Sequence, residues 1–286
     1  MFEAVCKPAA GRAMTRRCAS IMVLFCALIG LVGVPQSARA VAARRLEDAA
    51  LPPSTYHLVN SAGSPRSIFL PSVMKAPTTV PGLPFDPYAT RSGEATYYDA
   101  TGAGNCSFDP TPNDLMVGAM NQTDYAGSLL CGTYVQISGP NGVVVVRIVD
   151  RCPECPAGNI DLSREAFARI ANLSAGRVPI IWRIVSPALN GPIVYRFKEG
   201  SSQWWTAVQI RNHRNPVWSV EYLSATGAFK PAVRQNYNYF VEASGMGVGP
   251  FTFRVTDIYG HSIVDNGIAL VVGGEVAGSA QFPPMP

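Results

Sequence analysis

Two carboxylates and one hydroxyl stand where their side chains could act on a single bound molecule. Asp150 ends an apolar run beside a loop with two cysteines, and Asp161 comes two residues before Ser163. A carboxylate at a strand end can exchange a proton or bind a ligand hydroxyl, and a nearby group such as Thr96 can orient it. The other interpretation is that Asp161 only helps to cap a helix at Ser163, and the spacing alone leaves both open.

A second group of candidate residues is aromatic. Trp204 and Trp205 are adjacent, and Tyr237 follows in the run N-Y-N-Y at residues 236–239. Flat rings stack against the apolar faces of glucose units, and a row of rings can hold a straight β-glucan. Strict alternation along a strand sends adjacent side chains to opposite faces. The residues by themselves therefore favour one tryptophan of the pair in the core.

The other tryptophans and the histidines are not assigned to a site. Trp182 and Trp218 lie inside apolar runs and are predicted to be core residues. His57, His213 and His261 are scattered along the chain and form no ligand motif. The sequence also has no phosphate-binding loop, so no metal and no other cofactor is expected.

The first 40 residues have the pattern of an export signal, described below, so the remaining cysteines are expected to lie in an oxidising compartment. Three of the seven lie in the first 40 residues, and the others are Cys106, Cys131, Cys152 and Cys155. Four thiols in an exported chain predict two disulfides, with three alternative pairings. A four-cysteine zinc site is the competing interpretation, but only Cys152-x-x-Cys155 has the short spacing that such sites use.

The first 40 residues have the three-part pattern of a secretory signal peptide. Arginines precede an apolar run at residues 21–34, and Ala38-Arg39-Ala40 supplies small residues for cleavage. The run is shorter than the ~20 residues that span a bilayer, so no membrane anchor is expected. The chain has a formal net charge of +4, and residues 1–40 hold five basic residues against one acidic residue. The remainder is formally neutral, which gives no indication of a nucleic-acid partner.

Composition divides the rest of the chain into a linker and two β-rich parts. Residues 41–92 contain eight prolines and little periodicity, which predicts an extended and disordered linker. Residues 93–186 and 187–286 contain β-branched runs separated by turn residues, the pattern of strands. These runs are residues 133–138, 143–149 and 180–185 in the first part, and 193–198, 207–211, 218–223 and 251–257 in the second.

Two short helices are predicted within the first β-rich part. Asp114 can cap one over residues 115–120, and Ser163 can cap another whose apolar residues share one face. The second part has no helical stretch, and the spacing of its strands predicts an all-β sandwich. The break at residues 186–192 is short, so the two parts are expected to remain in contact.

Several motifs together resemble the bacterial expansins. The first part contains G-E-A-T-Y-Y at residues 93–98, V-D-R-C-P-E-C at residues 149–155 and I-D-L-S at residues 160–163. The second contains Y-R-F-K-E-G-S-S-Q-W-W at residues 195–205 and V-Q-I-R-N-H at residues 208–213. The resemblance implies a mainly β fold, with a six-stranded double-psi β-barrel over the first part. An immunoglobulin-like, carbohydrate-binding β-sandwich follows over the second part.

The resemblance implies that Thr96, Asp150 and Asp161 form the polar centre of a groove on the barrel. Asp161 then matches the general acid of family-45 glycoside hydrolases, which share the barrel. Hydrolysis with inversion needs a second carboxylate roughly 6.5–9.5 Å away, and expansins lack it and loosen wall polymers without cutting them. Asp99 is the only candidate base. It lies three residues after Thr96, whereas the base of the hydrolases lies four residues after the matching threonine. A shift of one residue along a strand turns a side chain to the opposite face, so we predict that Asp99 is a solvated turn residue.

In the sandwich the resemblance reverses the expectation for the tryptophan pair. Expansins display both rings with a tyrosine as one surface row, so Trp204, Trp205 and Tyr237 are all predicted to be exposed. This arrangement requires a bulge or a strand end near Trp204. Lys198 and, on the barrel, Tyr97 are further carbohydrate-binding candidates.

The resemblance also implies the disulfide pairing Cys106–Cys131 and Cys152–Cys155, the second bridge stiffening the loop that carries Asp150. Cys152 stands where a cysteine-free relative has a groove aromatic, so less sugar stacking is expected on the barrel.

The sequence therefore predicts a secreted, extracellular and non-enzymatic wall-loosening protein of the expansin type. Its expected partner is cellulose, with xyloglucan and peptidoglycan as further candidates, and neither nucleic acid nor a membrane. A monomer without cofactors is expected. The first alternative is an enzyme on the same barrel, either a β-glucan endoglucanase or a peptidoglycan lytic transglycosylase. The second is a binding module with no mechanical effect.

Overall fold

The β-branched runs of the first part form a closed barrel in the structure, a computed structural model that describes residues 79–286. The predicted signal peptide and residues 41–78 lie outside the described residues. The barrel strands are β1 (Arg91–Tyr98), β2 (Val117–Asn121), β3 (Tyr134–Gly139), β4 (Gly142–Cys152), β5 (Ile160–Ser163) and β6 (Val178–Val185). They close in the order β1-β5-β2-β4-β3-β6, and only the β1–β5 and β2–β4 pairs are parallel.

One of the two predicted helices is present, and the prediction of the other is wrong. Helix α2 (Arg164–Ile170) begins after Ser163, whose hydroxyl accepts a hydrogen bond from the Ala166 amide at 3.0 Å. Residues 117–120, predicted as helix, belong instead to strand β2, which pairs with β4 and β5 and is buried throughout. A short apolar run has no period that separates a buried strand from a buried helix, and here the barrel pairing decides. A short helix that was not predicted, α1 (Gln122–Tyr125), follows β2.

The second part folds as two packed antiparallel sheets. Its strands are β7 (Val194–Phe197), β8 (Thr206–Arg211), β9 (Val217–Leu223), β10 (Phe229–Pro231), β11 (Val233–Arg234), β12 (Phe240–Glu242), β13 (Phe251–Asp257), β14 (Ser262–Ile268) and β15 (Glu275–Ala277). One sheet has the order β10-β9-β13-β14 and the other β11-β12-β8-β7-β15. Alternate residues of both sheets, such as Tyr195, Phe197 and Phe253, fill the core between them.

Barrel and sandwich are in direct contact, as the short break between them predicts. The Gln209 side chain donates a hydrogen bond to the Cys106 carbonyl at 2.8 Å, and Arg211 forms an ion pair with Asp109 at 2.6 Å. His213 is fully buried close to Gly132 of the barrel, and burial lowers its pKa to about 4. A neutral, buried imidazole is a structural part of this interface.

The described end of the predicted linker also packs against both parts. Residues 79–92 were predicted to be part of a disordered linker, and the structure corrects this prediction. The Val80 amide donates a hydrogen bond to the Ile258 carbonyl at 3.1 Å, and the centre of the Tyr88 ring lies 5.6 Å from that of Tyr259. Trp218 is half-buried in this cluster rather than in the sandwich core, which corrects its prediction. Trp182 is buried in the barrel as predicted.

Candidate functional site: a carboxylate groove beside an aromatic surface

The predicted polar residues of the barrel lie in one row across four strands. Asp150 of β4 pairs with Ala119 of β2, Ala119 pairs with Asp161 of β5, and Asp161 pairs with Thr96 of β1. The register shifts in the β2–β4 pair, so that Val149 is skipped and buried while Asp150 joins the row. Strands lie about 4.8 Å apart, which places the backbones of the two acids about 10 Å apart. The small Ala119 forms the floor between them.

Asp161 is a carboxyl in a partly desolvated environment. The Thr96 hydroxyl donates a hydrogen bond of 2.5 Å to one carboxylate oxygen. Burial raises the pKa of Asp161 above its ordinary value, the Thr96 bond opposes this shift, and the Glu154 carboxylate adds to it. Because Ser163 caps helix α2, the alternative role of Asp161 as a cap is not needed. A carboxyl with a raised pKa can donate a proton or a hydrogen bond to a ligand oxygen.

Asp150 is held in place by backbone amides. One of its carboxylate oxygens accepts hydrogen bonds from the amides of Asn105 at 2.6 Å and Arg151 at 2.8 Å. The loop before Asn105 presses on the same side chain, since a Cβ at Gly104 would collide with Asp150. Asp150 is thus a fixed acceptor at the edge of the row.

Tyr98 is a groove residue that the sequence reasoning missed. It lies two residues after Thr96 on β1 and therefore on the same face of the strand. Burial raises the pKa of its hydroxyl, and the nearby carboxylates of Asp150 and Asp161 add to the shift. Among the described residues this buried hydroxyl has no hydrogen-bond partner. The alternation of side chains along a strand, which puts residues 96 and 98 on one face, could have identified Tyr98 from the sequence.

Tyr97, the predicted carbohydrate-binding residue of the barrel, lies on the other face of β1. Its ring centre is 4.9 Å from that of Phe167 on helix α2, and the Arg164 guanidinium lies 5.0 Å from the ring. Asp99 lies on this side too, with its side chain 90% exposed and 3.8 Å from Arg164. The structure therefore brings neither Tyr97 nor Asp99 together with the row of acids.

A cleft of about 210 Å³ opens beside Asp161. Its walls include the Cys152–Cys155 disulfide, Glu154 and Arg177. The other disulfide joins Cys106 to Cys131, so the cysteines have the pairing that the resemblance implies. Within residues 79–286 no group of three or more potential ligand side chains could hold a metal ion, and no helix is long and apolar enough to cross a membrane.

The tryptophan pair lies on the turn that leads into β8. Because neither residue belongs to a strand, the two side chains do not have to point to opposite faces of a sheet. The Ser202 amide bonds the Trp205 carbonyl at 2.7 Å, and the Gly247 amide bonds the Gln203 carbonyl at 3.3 Å. Trp204 is 73% exposed, and Trp205 is half-buried. Neither ring enters the core between the two sheets.

Trp205 and Tyr237 rest on the outer face of the five-stranded sheet, against the buried residues Ala207, Tyr239 and Val241. The ring centres of Tyr237 and Tyr239 lie 5.9 Å apart. We call Trp204, Trp205 and Tyr237 the aromatic surface.

Lys198 belongs to the same face of the sheet, with its ammonium 5.5 Å from the centre of the Tyr239 ring. The sheet thus presents an apolar base with the Lys198 ammonium beside it.

Known proteins share both parts of this architecture. The lytic transglycolase family model matches residues 90–182, which cover most of the barrel. Expansin-YoaJ of Bacillus subtilis is 38% identical over 201 residues, which cover 67% of this chain and 86% of that protein. Expansin-like protein 2 of Dictyostelium discoideum is 29% identical over 183 residues, which cover 60% of this chain and 45% of that protein.

A solved structure agrees with these relatives. It is that of a mutant Clavibacter michiganensis expansin in complex with cellohexaose, with a TM-score of 0.64 and 35% sequence identity, covering 68% of this chain and 99% of that chain. The identity extends across the barrel and the sandwich together, and the closed six-stranded mixed barrel is the double-psi β-barrel of those proteins. This chain belongs to the expansin family.

Proposed function

We propose that this protein is secreted, binds cellulose, and loosens cell walls by disrupting non-covalent contacts between polysaccharides without hydrolysing them. The observation that carries the proposal is an aromatic surface open to solvent, with Trp204 exposed and Trp205 and Tyr237 half-buried, on the same molecule as a groove centred on one partly desolvated carboxyl, Asp161. In this proposal residues 187–286 grip one polymer, and residues 93–186 engage a neighbouring chain. Cellulose is the primary target, and xyloglucan and peptidoglycan are secondary ones. The protein acts as a monomer.

Stacking is the basis of the cellulose proposal. The rings of Trp204, Trp205 and Tyr237 offer flat apolar faces that match those of glucose units, while Lys198 can donate to sugar hydroxyls. The complex of the Clavibacter michiganensis expansin with cellohexaose supports a β-1,4-glucan as ligand. Because residues 41–286 are formally neutral, binding should depend little on ionic strength.

The groove is proposed to bind sugars without cutting them. A hydrolase of the inverting type holds a second carboxylate across from its acid to activate water. Asp99 is solvated directly after β1, near Arg164, and Asp150 already accepts two backbone hydrogen bonds. The Asp161 carboxyl and its Thr96 partner can instead replace hydrogen bonds between two glucan chains.

Secretion is proposed from the signal-peptide pattern of residues 1–40 and from the two disulfides, which persist in oxidising compartments. An extracellular location is also where wall polysaccharides are accessible.

The second candidate is an enzyme, a lytic transglycosylase or an endoglucanase. Two observations favour it: burial raises the pKa of Asp161, and a second carboxylate, that of Glu154, lies in the same cleft. A single carboxyl of this kind can act first as acid and then as base.

Two assays on the same preparations separate these functions. The first records the creep of heat-inactivated plant walls under constant load, and the second records reducing ends or anhydro-sugars from cellulose, xyloglucan and peptidoglycan. We expect creep without sugar release for the wild type and for the control Asp99→Asn, and no creep for Asp161→Asn. Sugar release by the wild type that Asp161→Asn lacks would establish the enzyme instead. Binding to cellulose without creep would reduce the protein to a plain binding module.

A further inference from the structure

The turn that carries Tyr237 is held by the barrel as well as by the sandwich. The Gln235 carbonyl accepts a hydrogen bond from the Ser128 hydroxyl at 2.7 Å, and the Asn238 side chain donates to the Cys106 carbonyl at 3.2 Å. Asn238 has a φ of 64°, so the backbone reverses sharply directly after Tyr237. The position of this ring therefore depends on contacts between the two parts.

Asn105 makes the contacts that connect this turn to the groove. Its side-chain amide donates to the Asn236 carbonyl at 2.8 Å and to the Tyr125 hydroxyl at 2.7 Å. The Tyr125 hydroxyl in turn donates to the same Asn236 carbonyl at 2.8 Å. The three groups form a closed triangle at the residue that precedes Tyr237.

The backbone of the same residue faces the groove. The Asn105 amide donates to Asp150 at 2.6 Å, and the disulfide of the next residue, Cys106, anchors the loop to Cys131. A side chain would not fit at Gly104, which lets the loop approach Asp150 closely. One residue thus contacts a groove acid through its backbone and the aromatic turn through its side chain.

We propose that Asn105 is a positioning residue that sets the spacing between the Asp161 groove and Tyr237, so that one glucan chain can contact both at once. The inference rests on the proposed function, because it concerns how the two surfaces share a ligand. The hydrogen bonds of the Asn105 side chain go to Asn236 and Tyr125, so its role is exerted through these two residues.

The variant Asn105→Ala isolates this role, because it removes both side-chain hydrogen bonds and leaves the backbone bond to Asp150 in place. Cellohexaose is the long probe, which the proposal requires to contact both surfaces, and cellotriose is the short comparison. We expect Asn105→Ala to weaken cellohexaose binding about fivefold, the effect of about one net hydrogen bond, with cellotriose binding unchanged. Asn105→Ser, which keeps one donor, should fall between the wild type and Asn105→Ala, and it replaces the alanine variant if that variant does not fold.

A double-mutant cycle provides the readout that a merely structural role would leave unchanged. Asp161→Asn and Tyr237→Ala are combined, and cellohexaose affinity is measured by calorimetry in both backgrounds. In the wild-type background the two effects should be non-additive, because both groups hold one chain, and in the Asn105→Ala background they should add. The matched control Asp109→Asn breaks the ion pair with Arg211, another contact between the two parts, and should leave the non-additivity intact.

The proposal is overturned if the Asn105→Ala protein keeps the same non-additivity, or if it loses cellotriose and cellohexaose binding equally. The proposed function fails separately, when the wild type itself binds neither cellulose nor cellohexaose.

Discussion

Removing the Trp204 ring is the sharpest test of the aromatic surface, because the ring contributes little to the fold. Its side chain is 73% exposed on the turn before β8. Substitutions of such surface residues usually change the free energy of unfolding by no more than about 0.5 kcal/mol. Trp204→Ala should therefore retain the thermal midpoint of the wild type. Any loss of binding then reports on the ligand contact itself.

The size of that loss follows from the area that a sugar can cover. A fully covered aromatic side chain buries roughly 150–250 Å², and a glucan stacked on one face covers about 100 Å² of it. At ~25 cal/mol per Å² this burial contributes about 2.5 kcal/mol, which corresponds to about 60-fold in affinity. Because the ordering of the ligand offsets part of this gain, we expect cellulose binding to weaken between about 5-fold and about 60-fold.

The assay is a depletion isotherm on microcrystalline cellulose, recorded with thermal unfolding of the same sample. Val264→Ala is the control, since this valine is also exposed, at 48%, but lies on the four-stranded sheet away from the aromatic surface. Trp205→Ala should lose both binding and about 1 kcal/mol of stability, because that ring also packs on Ala207 and Val241. Wild-type affinity in Trp204→Ala, or an equal loss in Val264→Ala, would refute the stacking argument.

Three further outcomes follow from the structure. Burial raises the pKa of Asp161, so ionisation of this carboxyl lowers the free energy of unfolding. Asp161→Asn should therefore have a higher free energy of unfolding than the wild type in urea at pH 7. This difference should disappear as the pH falls below about 4, where the carboxyl is protonated in both the folded and the unfolded chain. Because burial lowers the pKa of His213 to about 4, wild-type stability should fall as the pH drops from about 6.5 to 4, and His213→Gln should flatten this slope in the same titration. Replacing both cysteines of the Cys106–Cys131 bridge with alanine should lower the free energy of unfolding by about 3.5 kcal/mol, against about 2 kcal/mol for the Cys152–Cys155 bridge, because the first bridge closes the longer loop. Unfolding in guanidinium measures both losses. Equal losses would contradict the loop-entropy argument.

Local sequence patterns predicted most strands because their cause is local. The β-branched runs at residues 133–138, 143–149 and 180–185 coincide, to within one residue, with parts of β3, β4 and β6, where alternate side chains enter the barrel core. The cap at Ser163 was equally readable, since a hydroxyl and the amide three residues later suffice to form it. Strand β2 was misread because its five residues are buried on every side and so carry no period.

The candidate site was only partly predictable. Thr96, Asp150 and Asp161 were found through motifs, but their alignment in one row depends on the pairing of four strands and on the register shift opposite Ala119. Tyr98 rather than Tyr97 faces that row, and the choice depends on which face of β1 meets helix α2. No local pattern carries that information.

The sequence by itself determined the chemistry that this protein can offer: carboxylates at strand ends, adjacent indole rings, four cysteines after residue 40, and the motifs of the family. Only the tertiary structure decided how these groups combine. It placed the tryptophan pair on a turn, so that both rings avoid the core, and it packed residues 79–92 against both parts of the chain. It also brought Asn105 into contact with both Asp150 of the groove and Asn236 of the turn that carries Tyr237. The physical reason is that residue type and spacing specify local preferences, whereas contacts between residues more than 100 positions apart form only when the strands have found their partners.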